Sequence, residues 1–329
     1  GLVAQEGTPR DTGAVILADP SDIVGSPAAA GPSIKDSNEG SRTYIRASVL
    51  SKPSDTVEIG LNFNYQEVKA DNRYEHNPNY GSGENYVTHK AHTDPSDGDF
   101  TLIDLDVEVD LGFARLTSNT GVSNMSLFGV SDSSGFLRTN LPQYYFGNPR
   151  VYSPIDRDQD VDTFTQELRL ASQTDGKISW IGGLFYLKRD LDFDLYQPLL
   201  GVTEYTNAYF GTTGLGIDFT DVLAYGGQQQ EVTDFSIFGE VTYQMTDQWQ
   251  VTAGVRRFDN ETKGTAGIPL PYASRTFEFY YYGTATDDFL LGGINPTNGQ
   301  DDGTLIKLNT SYDVNENTMI FATYSEGFR

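Results

Sequence analysis

The stretch Glu231–Lys263 leaves this chain the fewest choices of fold. Two alternating runs flank the polar turn Met245-Thr246-Asp247-Gln248. In the first run Phe235, Ile237, Val241 and Tyr243 share one parity, and Asp234, Ser236, Glu240 and Thr242 the other. In the second, Trp249, Val251, Ala253 and Val255 oppose Gln250, Thr252 and Arg256. Strand side chains point alternately to opposite faces, so each run has one apolar face and one wet face. A short polar turn between two such runs predicts an antiparallel hairpin. Each run is about twice the ordinary length of a globular strand, which a tilted wall through a bilayer needs and a soluble sheet seldom does.

The pattern recurs along the chain. Residues 1–40 are rich in Pro, Gly, Asp and Ala without a sustained period and read as an irregular loop segment. From residue 41 onward, Thr43, Ile45, Ala47 and Val49 oppose Arg42, Arg46 and Ser48. After the turn Ser51–Asp55, Val57, Ile59, Leu61, Phe63 and Tyr65 oppose Glu58, Asn62, Asn64 and Gln66. Ile103, Leu105, Val107 and Val109 alternate with Asp104, Asp106, Glu108 and Asp110; Leu116, Thr120 and Val122 alternate with Arg115, Thr117 and Asn119. Phe164, Leu168 and Leu170 oppose Thr165, Glu167 and Arg169. The strand read at Ile178–Asp194 is apolar on both parities from Trp180 to Leu187, which leaves its facing open. Thr304–Tyr312 and Thr318–Phe328 form a last pair.

Between these runs lie irregular segments at Ala70–Gly98, 129–160, 196–229 and 264–302, with helix-period pieces too short to assign. Five short turns thus alternate with four segments of roughly 28 to 40 residues, lengths unusual in a compact domain. Because every second connection is short, the long ones all fall at one end of the sheet. That is the build of an outer-membrane barrel, with short periplasmic turns and long extracellular loops. Sandwiches mix their loop lengths, and solenoids show a fixed period that is absent here. The expected fold is all-β: a partial antiparallel transmembrane β-barrel of about ten long strands spanning 41–329. Tyr243, Trp249, Trp180, Phe113 and Tyr312 sit close to the short turns, as an interface belt of amphipathic rings does.

Composition supports this reading. Mean hydropathy is −0.42 and no run of eighteen apolar residues exists, which excludes a transmembrane helix but not a barrel. There is no cysteine, so neither disulfides nor thiolate metal sites are available. A net charge of −24 argues against nucleic acid as a partner. Gly1 is not an initiator methionine, and the last run stops in mid-element, so the chain is expected to be an internal piece of a longer protein.

Three stretches carry a family resemblance. Phe164–Ser172 followed by Gly176–Tyr186 (FTQELRLAS, GKISWIGGLFY), Phe238–Arg257 (FGEVTYQMTDQWQVTAGVRR) and Met319–Arg329 (MIFATYSEGFR) resemble successive barrel strands of TonB-dependent outer-membrane receptors. The resemblance implies a barrel of roughly 22 strands around an N-terminal plug domain of the same protein. It also implies import of a scarce solute such as a ferric siderophore, driven by the TonB energy-transducing complex. Neither the plug nor the energy-coupling box is found in this sequence.

The wet parity then has a second reading. Asp104, Asp106, Glu108 and Asp110 form an acidic ladder with same-face spacing of about 6.6–7 Å. Arg42, Arg46, Arg115, Arg169 and Arg256, with Glu167 and Glu240, share the lumen-facing parity. Either this is an ordinary hydrated wall, or the ladder docks basic residues of the plug. In the external segments His76, His89 and His92, Tyr80, Tyr86, Tyr205, Tyr209, Phe210, Tyr280, Tyr281 and Tyr282 are the candidates for touching solute, by stacking or polar contact. His89 and His92 are spaced like metal ligands, but loop histidines are usually solvated, and no metal or cofactor is assigned. Asp156, Asp158, Asp160 and Asp162 imitate calcium-loop spacing, yet Val161 replaces the turn glycine, so a polar loop entering a strand is expected. No nucleophile, zinc or nucleotide motif is present, and no enzyme activity is assigned. A secreted carbohydrate-binding or adhesive protein and a passive porin-like channel stay open as alternatives.

Overall fold

The computed structural model describes residues 39–72, 93–148, 151–173, 176–284 and 291–327, with the short pairs 2–3 and 33–34. Nearly all of the 1–40 segment, and all of His76, Tyr80, Tyr86, His89 and His92, lie outside the described residues. Ten long strands follow one another: β1 (Gly40–Ser54), β2 (Val57–Ala70), β3 (Ser96–Asp110), β4 (Ala114–Asp132), β5 (Pro154–Ser172), β6 (Ile178–Pro198), β7 (Val222–Thr246), β8 (Trp249–Gly267), β9 (Gly299–Asn315) and β10 (Thr318–Ser325). Each pairs antiparallel with its neighbours in sequence, and Asn295–Pro296 adds a two-residue eleventh strand beside β8. The sheet is open, with β1 and β10 at its edges.

The five expected turns are in place, the one after Thr246 being Asp247–Gln248. The strands, however, run well past the alternating stretches. β5 begins at Pro154, so Asp156–Asp162 is strand and not a loop entering one. β6 continues to Pro198, β7 starts at Val222 and β8 ends at Gly267. The physical reason is that a ladder needs only paired backbone. In these extensions apolar and polar residues do not separate cleanly by face, Leu223 and Ala224 being buried side by side on β7, so the alternation that reveals a strand is lost.

The long connections also contain helices that the sequence reading left unassigned: α1 (Ser134–Asn140), α2 (Val202–Phe210) and α3 (Pro271–Tyr282). α3 starts on Pro271, whose missing N–H costs nothing in a first turn, and stops at Gly283 with φ +75°. α2 is pinned from a distance: the Asp221 carboxylate accepts bonds from the Gly201 and Thr203 N–H groups, both at 2.9 Å.

Candidate functional site

Cross-strand register fixes which residues share a face. Trp180, Gly182, Leu184 and Tyr186 of β6 pair with Val241, Gly239, Ile237 and Phe235 of β7, which settles the facing that sequence left open. Continuing across the sheet, one face carries an apolar band, on which Ile45, Leu61, Ile103, Phe164, Leu184, Ile237, Val255 and Ile306 are all exposed. On β7 it runs from Tyr243 to Phe235, about 27 Å along the strand. Aromatic rings mark both limits. Trp180, Tyr243, Trp249 and Tyr312 lie at the short-turn end; Phe63, Tyr65, Phe164, Tyr186 and Phe235 lie at the other. The next residues outward are charged and paired. Lys188 Nζ lies 2.8 Å from Glu231 Oε2, and Arg257 pairs with Asp302.

The band crosses the sheet obliquely. Tyr65, its last apolar residue on β2, leads in register through Thr101, Asn124, Asp162, Asp190 and Glu231 to Lys263 on β8. On β8 the band has already ended at Val255. That is a climb of eight residues over six strand steps, which at about 3.3 Å per residue and 4.8 Å per strand is a tilt of about 40°. A level slab of lipid across strands tilted by 35–45° requires this stagger, and it lowers the band's vertical height to about 20 Å.

The opposite face is polar. Arg42, Arg46, Asp104, Asp106, Glu108, Arg115, Glu167, Arg169, Glu240 and Arg256 all lie on it by register. Arg115 Nε is 3.2 Å from Glu108, Asn119 bonds Asp106, and Arg169 Nε donates to Glu167 at 2.7 Å. The acidic ladder is therefore partly answered within the wall itself. Sequence reasoning missed a patch of rings on this face. Phe238 lies over Gly183 and Phe258 over Gly303, while Arg256 sits 5.9 Å from the Phe185 centroid. A ring facing a glycine on the neighbouring strand was the available signal.

Three long connections, 133–153, 199–221 and 268–284, pack into one cap beyond the strand ends. Leu137, Tyr145, Val151, Leu199, Val202, Phe219, Leu223 and Tyr272 are its buried core, with Phe210 and Phe279 against it. Polar bonds link the segments: Thr206 and Tyr272 hydroxyls are 3.0 Å apart, Tyr205 OH donates to the Phe146 carbonyl at 3.0 Å, and Arg275 holds Asp218 at 2.9 Å. Burial pushes the phenols of Tyr152, Tyr205 and Tyr272 above their ordinary value. Of the candidate aromatic residues, Tyr205 and Phe210 are thus engaged in holding the cap together, whereas Tyr209, Tyr280, Tyr281 and Tyr282 are exposed. Among the described residues no group of three or more His, Asp or Glu is placed to hold a metal ion.

The family model for "TonB dependent receptor-like, beta-barrel" matches residues 30–329. The chain belongs to the TonB-dependent receptor β-barrel family. As such it is part of a Gram-negative outer-membrane barrel, its apolar band facing lipid and its polar face the barrel interior. Membership sets aside the secreted module. No curated protein matches the sequence. Among solved structures it is similar in fold to the siderophore receptor PiuA from Acinetobacter baumannii (14% identity, TM-score 0.58, covering 88% of this chain and 42% of that one). It is also similar to the ferric yersiniabactin uptake receptor FyuA from Yersinia pestis (11% identity, TM-score 0.56, 88% and 42%). The copper transporter OprC is a third (12% identity, TM-score 0.52, 88% and 36%). The chain therefore spans only about two-fifths of the length of these receptors, which accounts for the open sheet.

Proposed function

We propose that the full-length protein imports a scarce solute across the outer membrane, in the manner of the siderophore and metal receptors it resembles in fold. The observation that carries this is the two-faced wall: a lipid-facing band, a polar interior, and long external segments gathered at one end. Transport needs no covalent step by this chain. External aromatic residues select the solute, the interior holds the plug and later lines the path, and energy arrives through TonB. Within the wall, Asp104, Asp106 and Glu108 are the residues proposed to receive basic side chains of the plug.

Deleting the gene should abolish energy-dependent uptake of a radiolabelled ferric or cupric chelate, and restoring the full-length gene should recover it. Uptake of every chelate that survives deletion unchanged would overturn the transport reading. Converting Asp104, Asp106 and Glu108 to Ala in the full-length protein should loosen the plug, read as faster amide exchange there; unchanged protection would remove the docking role.

A further inference from the structure

We infer that the solute carries planar ring surface and no net negative charge. This rests on the transport reading but narrows its substrate class. Two independent features point the same way.

The first is the outer surface of the cap. Tyr280 is 69% exposed, Tyr281 63% and Tyr209 58%, although the cap behind them is well packed. Phe277 and Tyr281 lie one helical turn apart with centroids 4.5 Å from each other, and Tyr280 stands edge-on to Tyr281 at 5.1 Å. Tyr209 joins the cap through Phe146 at 4.7 Å and Phe210 at 5.3 Å. Tyr209 is thus braced by cap residues, while Tyr280 and Tyr281 are braced by each other and by Phe277, and all three remain exposed. A preorganised ring has little motion to lose on stacking, and its face attracts cations through the ring quadrupole.

The second is the sign of the field around them. Among the described residues beyond the lipid band (66–72, 93–99, 123–148, 151–163, 187–234, 257–284 and 291–304), Asp and Glu number 23 against 8 Lys and Arg. Arg275, in the same helix as the exposed rings, is held by Asp218. Such a surface repels a polyanionic chelate on approach and steers neutral or cationic molecules inward.

The test compares one ring system in two charge states. Rhodamine 6G (cationic) and fluorescein (dianionic) share the xanthene rings and are titrated by fluorescence anisotropy against full-length receptor in nanodiscs. Rhodamine 6G should bind at least tenfold more tightly at low salt, and the margin should shrink as salt rises. Replacing Tyr209, Tyr280 and Tyr281 together by Ala should weaken its binding at least tenfold. Tyr280→Phe with Tyr281→Phe, which keeps the rings, should leave binding within twofold. Equal or tighter binding of fluorescein, or indifference to the three alanines, overturns the inference. Because the readout is binding and not uptake, its failure would leave the transport reading standing, and loss of that reading would not alter these affinities.

Discussion

Lys307 reaches across an entire strand to Glu240. The two lie on β9 and β7, and Gly254 of β8 is the register partner of both. Lys307 Nζ approaches Glu240 Oε2 to 2.7 Å, and a Cβ placed on Gly254 would already meet the Glu240 side chain at 3.4–3.5 Å. The glycine thus opens the lane along which the two charges meet over the barrel interior.

Both partners remain partly exposed, so the bridge contributes little to stability. A double-mutant cycle with Glu240→Gln and Lys307→Met should give a coupling below about 1 kcal/mol that falls with added salt. Denaturant unfolding of the folded barrel in detergent measures it. A coupling of several kcal/mol would mean the pair is far less hydrated than this geometry implies.

Neighbouring glycines on β6 should differ sharply. A Cβ on Gly183 would lie 2.5 Å from both the Leu168 carbonyl and the Phe238 ring, whereas on Gly182 its nearest neighbour is 3.6 Å away. Gly183→Ala should destabilise by about 1–3 kcal/mol through overpacking against backbone that cannot yield. Gly182→Ala should be nearly neutral in the same unfolding assay.

Facing can be tested with charge. Ile237 sits in the lipid band beside Leu184, while Thr117 lies on the polar face between Glu108 and Arg169. Ile237→Arg should cost about 2–4 kcal/mol and reduce assembly into vesicles. Thr117→Arg should assemble normally. Equal tolerance of both would contradict the assignment of the two faces.

Cap segments should loosen together. Leu137 and Tyr272 come from different connections but share one core. Leu137→Ala should remove about 2–5 kcal/mol from the cap and raise amide exchange in 199–221 and 268–284 as well as in 133–153. Exchange that rises only around the substituted residue would show three independent loops.

Alkali should open the same cap. Tyr152, Tyr205 and Tyr272 are held above the ordinary phenol value of 10.0, chiefly by burial. A folded-state value raised above the unfolded one contributes stability that is complete below about pH 10 and is lost as pH climbs through the folded value. Ionisation of these three phenols, read as the absorbance lost when each is replaced by Phe, should therefore come late and coincide with loss of cap protection, while lipid-band strands stay protected.

The sequence by itself determined the turn positions and the two faces of every long strand but β6, because strand side chains alternate with a period of two. Phe235, Ile237, Val241 and Tyr243 announce their side whatever their neighbours do. It could not reveal strands beyond lipid: Asp156–Asp162 sets Asp at every second position against Arg157, Gln159 and Val161, which shows no apolar face to mark a strand. Only the tertiary structure decided the tilt, which exists as a relation between strands, such as Tyr65 within the band on β2 lying in register with Lys263 well beyond it on β8. Tertiary structure likewise divided the aromatic candidates, packing Phe210 against the cap core and committing Tyr205 while leaving Tyr280 and Tyr281 open, because which rings meet depends on contacts between residues far apart in the chain.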